Sequence, residues 1–324
     1  MSDPVLATAD AAAESPSLVT GGAPPTGGPT GEKPRGLWGD AWRDLRRKTL
    51  FWIALSLIGI IVVIAAAPQL FTSVNPTIAG SADLSKSLEP PSADAWFGYD
   101  FQGNDVYART IYGARASVIV GFLSVTFAAL IGGLVGILAG FYGGWIDGLL
   151  SRIGDVFLGL PFVLGAIVIL SSFAGAQSEA SATWIITLVI STIVVLSWPL
   201  YARIMRSSVV SGKQADYVQA ARALGASTGR IIFRHLLPNC LAPIVVIATL
   251  NVGAYIAAEA ALSFLGIGLR SPVVSWGVMI SDARNAIRTA PHAMLFPATF
   301  LTLTVLSFVM LGDVVREALD PKLR

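Results

Sequence analysis

Charge is what this chain of 324 residues has least of: Asp, Glu, Lys and Arg together make up 13% of it, against 54% apolar residues. An average soluble domain carries roughly 25% charged residues, so a globule of this composition would have too few charges to face water on all sides. Part of its surroundings must be lipid. A formal net charge of +2 is too small to point to nucleic acid, and the basic residues are spread along the chain instead of forming one patch. The single cysteine, Cys240, has no partner for an internal disulfide, and His235 and His292 stand apart from any further Cys or His. No metal-ligand cluster results, and no cofactor is implied in the chain. There is also no G-x-x-x-x-G-K-[ST] phosphate loop, which excludes ATP hydrolysis by P-loop chemistry. No nucleophile and base pair and no paired intramembrane carboxylates argue for a membrane enzyme.

What the chain does have is long apolar runs. Residues 1–36 are rich in Ala, Gly, Pro, Ser and Thr, densest at Gly21-Gly22-Ala23-Pro24-Pro25-Thr26-Gly27-Gly28, and are expected to form a disordered cytoplasmic tail. No basic region followed by an apolar core precedes Lys33, so a cleavable signal peptide is not expected. Residues 37–48 read as a basic juxtamembrane segment, and 49–324 as an all-α membrane domain. A charge at the centre of a spanning helix costs roughly 2.5 to 3.5 kcal/mol, so charge-free stretches mark the spans. Six of them predict helices near 50–70, 116–140, 154–174, 183–203, 240–262 and 292–312. Each can hold the roughly 20 apolar residues that a hydrocarbon layer of about 30 Å requires.

Lys and Arg set the orientation. Lys33, Arg35, Arg43, Arg46, Arg47 and Lys48 precede the first span, and Arg203, Arg206, Lys213, Arg222, Arg230 and Arg234 surround the connection between spans four and five. Six crossings put both groups, with Arg152, Arg316, Lys322 and Arg324, on the cytoplasmic side. Both termini are then cytoplasmic. Lys86, Arg109, Arg115, Arg270, Arg284 and Arg288 fall outside, and the last three make the loop before span six the least regular part of the pattern.

The inner connection carries the most information. From Ser207 it reads SSVVSGKQADYVQAARALGASTGRIIFRHLLPN, which predicts two short amphipathic helices broken at Gly225 and again at Pro238. Ala220, Ala221, Ala223 and Leu224 are strong helix formers, and Gly225 permits a turn that a longer side chain resists. Small residues at 220, 221 and 223 let another surface approach the helix closely. Such a helix can serve as a rigid knob.

Here the chain resembles a known family. Permeases of ABC importers carry a cytoplasmic pattern of Glu-Ala-Ala, three residues, Gly, nine residues, Ile, one residue, Leu-Pro. This chain has Gln219-Ala220-Ala221, Gly225, His235 and Leu237-Pro238 in the same register, with Gln219 in place of the acid and His235 in place of the isoleucine. Gly98 to Val106 followed by Arg109 and Ile111-Tyr112-Gly113-Ala114-Arg115, Glu259 to Gly268 with Ser275-Trp276-Gly277, and the ending from Gly312-Asp313 through Leu319-Asp320-Pro321 are similar to segments of the dipeptide and oligopeptide permeases, specifically their C-type subunit. Nickel importers share this subunit type.

The resemblance implies the type I ABC importer fold in a prokaryotic cell membrane. It also implies a coupling helix that seats in an ATPase subunit through Asp216, Tyr217, Gln219, Ala220, Ala221, Arg222, Leu224 and Gly225. ATP and Mg2+ would bind in two partner ATPase subunits or domains, with a homologous second permease and an extracytoplasmic peptide-binding protein as further partners. The substrate would be a dipeptide or short oligopeptide, or nickel. A self-sufficient secondary transporter would show internal repeats and coupling charges within spans, and neither is present.

Two features admit plainer readings. The glycines at 121, 132, 133, 136 and 140 fit close helix packing better than a ligand channel. Glu259, the acid placed deepest in a span, is expected near the outer end of span five, within reach of water. It holds the Ser263 to Gly268 loop, pairs with an outer Arg, or meets a peptide amino terminus, and the last reading predicts impaired transport by Glu259→Gln. The family reading makes a direct prediction as well: the chain reconstituted alone in vesicles transports nothing, and uptake without an ATPase would overturn it.

Overall fold

Lipid offers no hydrogen bonds, so each backbone N–H and C=O in an apolar run must find its partner within the chain, and helices result. The computed structural model describes residues 37–78, 81–174 and 181–319. The expected tail, 1–36, and the C-terminal Asp320-Pro321, Lys322 and Arg324 lie outside the described residues. The elements are α1 (Leu37–Arg47), α2 (Thr49–Ala66), α3 (Val106–Tyr142), α4 (Gly144–Gly159), α5 (Phe162–Ala174) and α6 (Ala182–Gly212). They continue with α7 (Asp216–Ala223), α8 (Thr228–Phe264), α9 (Trp276–Ala283) and α10 (His292–Leu319). Among the described residues there is no strand, and pairing is limited to an isolated bridge between Tyr99 and Asp105.

Helices α2, α3, α6, α8 and α10 are each long and apolar enough to cross a membrane. The third expected span, 154–174, in which Pro161 predicts a kink, is not one kinked helix. It is a bent pair, α4 and α5, meeting at 91°. Pro161 is the cause: it pushes the preceding residue out of the helical region, and Leu160 sits at φ −80° and ψ 126°. Pro199, by contrast, lies inside a continuous α6. The break expected at Pro238 is also absent. Helix α8 runs through it, with a π-helical stretch at Ile231–Leu236 just before, where the wider turn accommodates a residue without an N–H.

Four contacts fix which ends lie together. Lys213 Nζ donates to the Gly140 carbonyl at 2.7 Å, so α3 and α6 finish at the same end. The chain between them must therefore return, and the bent pair is that crossing. Arg115 caps the last carbonyls of α2, donating to Ala65 and Ala66 at 3.0 and 2.9 Å, so α2 ends beside the start of α3. Lys48, at the start of α2, pairs with Glu317, near the end of α10, at 2.6 Å. First and last spans thus begin and end on one side, which requires an even number of crossings, and the bent pair makes six.

Helix α3 is the centre of the packing. A Cβ built on Gly132 would lie 2.3 Å from the Trp198 carbonyl oxygen, and one on Gly136 2.5 Å from that of Ala202, so α3 and α6 touch backbone to backbone. Gly121 instead meets a side chain of α8, its built Cβ lying 2.3 Å from Ile256 Cγ1. Gly133 faces elsewhere, with Met205 Cε 3.7 Å from its built Cβ, an ordinary contact. Gly132→Ala should therefore destabilise the purified protein by about 1 to 3 kcal/mol, lowering its thermal midpoint in detergent, while Gly133→Ala leaves the midpoint unchanged.

Candidate functional site

At the end of the bundle where α3 and α6 finish, the chain turns into α7, whose buried side chain is Val218 alone. Val218 inserts into a small apolar cluster with Ile231 and Leu236 of α8, lined by Phe141 and Ala226. That one anchor decides the orientation of the helix. Asp216, Tyr217, Gln219, Ala220 and Arg222 are exposed, Ala221 is half-buried, and Leu224 is 88% exposed. Leu224 thus presents an apolar side chain to solvent just past the helix end. Of the eight residues expected at a docking surface, six lie on α7, and Leu224 and Gly225 form the turn that closes it.

The C-terminus of α7 explains Gly225. Its φ is +77°, a left-handed conformation that side chains with a Cβ disfavour. The Ala226 N–H reaches the Ala221 carbonyl and the Gly225 N–H reaches that of Arg222, both at 3.0 Å, the two bonds of a Schellman closure. No atom lies within 4 Å of a Cβ built on Gly225, so the constraint there is torsional and not steric. Gln219, which replaces the family acid, donates its amide to the Gln214 carbonyl at 2.9 Å. A carboxylate has no hydrogen with which to do so. Tyr217 accepts from Asn239 of α8 at 3.3 Å, a second tie between α7 and that helix.

The opposite end is built around three acids, Asp100, Asp282 and Glu259. Arg109 of α3 is 7% exposed and pairs with Asp100 and, at 3.2 Å, with Asp282 of α9. Asp100 also accepts from the N–H groups of Gln102 and Asn104 at 2.8 and 2.9 Å, so the loop before α3 is fastened to α9 through one guanidinium. Burial pushes the Asp282 carboxyl above its ordinary range, with Arg109 opposing. Glu259 of α8 is 0% exposed, which corrects the expectation that water reaches it. Its Oε1 accepts from Ser263 and Ser275 at 2.8 and 3.0 Å, and its Oε2 from Ser117 at 3.1 Å. Sequence reasoning offered Glu259 as a hold on the loop that begins at Ser263, as the Ser263 bond shows, but missed Ser117 and Ser275, which sit on other elements. It also missed the Asp100, Arg109 and Asp282 triad, which spans 173 residues between Arg109 and Asp282.

Comparison with known proteins follows the same pattern. Residues 132–324 match the model of the binding-protein-dependent transport system inner membrane component, and residues 36–91 match the N-terminal transmembrane domain of oligopeptide transport permease C. The dipeptide transport system permease protein DppC of Alkalihalophilus pseudofirmus is 41% identical over 287 residues, 89% of this chain and 90% of that one. The oligopeptide transport system permease protein OppC of Bacillus subtilis is 36% identical over 293 residues, 90% and 92% of the two chains. Among solved structures, an inward-facing form of the MetNI methionine ABC transporter is similar in fold, with a TM-score of 0.52 at 20% identity, covering 65% of this chain and 96% of that one.

The geometry at Gly225 separates substitutions by torsion. Gly225→Asn tolerates the left-handed region and should leave α7 in place, whereas the β-branched Gly225→Val should weaken the closure by about 1 to 2 kcal/mol. Gln219→Glu, on an exposed face, should be tolerated. Limited proteolysis within 213–228 reads all three: Val should be cut faster than Asn, and equal rates would show that the turn does not depend on Gly225.

Proposed function

Because the chain belongs to the family of binding-protein-dependent transport system inner membrane components, we propose that α7 is the coupling helix through which partner ATPases drive its spans. The chain is a permease subunit of an ABC importer of dipeptides or short oligopeptides, and it supplies half of the translocation pathway. ATP and Mg2+ belong to two ATPase subunits or domains, a homologous second permease completes the path, and an extracytoplasmic binding protein delivers the peptide. The α7 end faces the cytoplasm, since the described basic residues 43–48, Arg203, Arg206, Lys213, Arg222, Arg230, Arg234 and Arg316 gather there. The nickel reading has no observation here in its favour; the relatives compared are named for dipeptides and oligopeptides.

The observation that carries the coupling role is the shallow seating of α7. A helix that buries only Val218 and is otherwise tied to α8 by Tyr217, with Leu224 open at its tip, is shaped to be gripped. A push on it passes to α8 through Ile231 and Leu236. It passes to α3 through Lys213 and the Gly140 carbonyl. Closure of the ATPases thereby becomes rigid-body motion of two spans, a change of the kind that alternating access requires.

The test is reconstitution of the full complex in vesicles with a labelled dipeptide. Uptake should require ATP, and Leu224→Asp should reduce co-purification of the ATPases about tenfold or more, as loss of an apolar anchor does. Uptake by the permeases without ATPases would sink the reading. Saturable nickel uptake with indifference to dipeptides would move it to the alternative substrate.

A further inference from the structure

Each of the three hydroxyls on Glu259 does two jobs. Ser117 accepts the Trp276 N–H at 3.4 Å, Ser263 that of Leu269 at 2.9 Å, and Ser275 that of Val278 at 3.2 Å, while all three donate to the carboxylate. Glu259 thus orients three oxygens, from α3, α8 and the start of α9, toward backbone N–H groups of the segment 269–278. That segment is wedged tightly. A Cβ on Gly277 would lie 2.6 Å from Ala260 Cα, one on Gly113 3.3 Å from the Ser275 carbonyl carbon, and Trp276, 0% exposed, donates Nε1–H to the Thr110 carbonyl at 2.9 Å. Arg109 holds the other end of α9 through Asp282.

We propose that Glu259 is a positioning residue that locks the extracytoplasmic helix α9 to α3 and α8, so that the outer mouth of the pathway moves as one body with the two spans that α7 drives. It does not contact the peptide. Its carboxylate has no open face, and among the described residues no cation lies against it; Ser117, Ser263 and Ser275 donate to it through their hydroxyls. Charge is therefore not what the site needs. A glutamine keeps the arrangement: its oxygen accepts from Ser263 and Ser275, its NH2 donates to Ser117, and the Ser117 proton turns back to the carbonyl four residues earlier in α3, a common helical bond. An alanine leaves three buried hydroxyls without their acceptor.

The proposal rests on the importer reading, so two readouts are needed. In reconstituted complexes, stimulation of ATP hydrolysis by peptide-loaded binding protein, relative to basal hydrolysis, should be close to wild type in Glu259→Gln and about tenfold lower in Glu259→Ala. A merely structural role would reduce the yield of complex but not this ratio in what assembles. Hydrogen exchange at Leu269, Trp276 and Val278 reads the lock without any transport: protected in wild type and Gln, fast in Ala. If Glu259→Ala does not assemble, Ser275→Ala, which removes one hydroxyl, should show partial loss of both. Loss of stimulation in Glu259→Gln with normal exchange protection would overturn the proposal in favour of a charge that meets the peptide, and unchanged exchange in Ala or Ser275→Ala would overturn it outright. Wild-type vesicles that hydrolyse ATP but take up no peptide would instead refute the importer reading, with the exchange result still deciding the lock.

Discussion

In lipid, apolar side chains gain little by leaving their surroundings for one another, so helices are held by close fit. Along α3 that fit is backbone against backbone at Gly132 and Gly136 toward α6, and backbone against the Ile256 side chain of α8 at Gly121. Everything that follows depends on it. Because α6 and α8 flank α7 in sequence, the seam along α3 also fixes where the two ends of the coupling segment leave the bundle. The same close approach recurs at Gly277 and Gly113, where α9 meets α8 and α3. Both functional ends are therefore mounted on one tightly packed strut.

Much of this was legible in the residues, for identifiable reasons. Lipid forbids unpaired charge, so the charge-free runs point to the helices that are long and apolar enough to cross. Gly225 announced its turn because few other residues accept a left-handed backbone. Proline was less informative. Pro161, Pro199 and Pro238 look alike as letters, yet the first bends the chain by 91°, the second sits in a continuous helix and the third follows a π turn. Which of these occurs depends on whether neighbouring helices hold the chain straight, and that is a tertiary matter.

The depth of Glu259 was misjudged for a related reason. Helix rise places it near an end of α8, and from sequence an end means water. The segment 265–283 folds back over that end and seals it, and nothing in the local sequence states that a loop will cover its own helix. Ser117, Ser263 and Ser275 are unremarkable singly, and only the fold gathers them. The motif Glu259 to Gly268 with Ser275-Trp276-Gly277 can now be understood as one physical unit: an acid, its hydroxyl shell and the glycine that lets the returning helix come close.

The pairing of Lys48 with Glu317 has a consequence for how such proteins can be assembled over generations. With the start of the first crossing and the finish of the last held side by side at 2.6 Å, the path through the membrane closes on itself like a loop of thread. Two copies joined end to end would need no added crossing to keep their orientation.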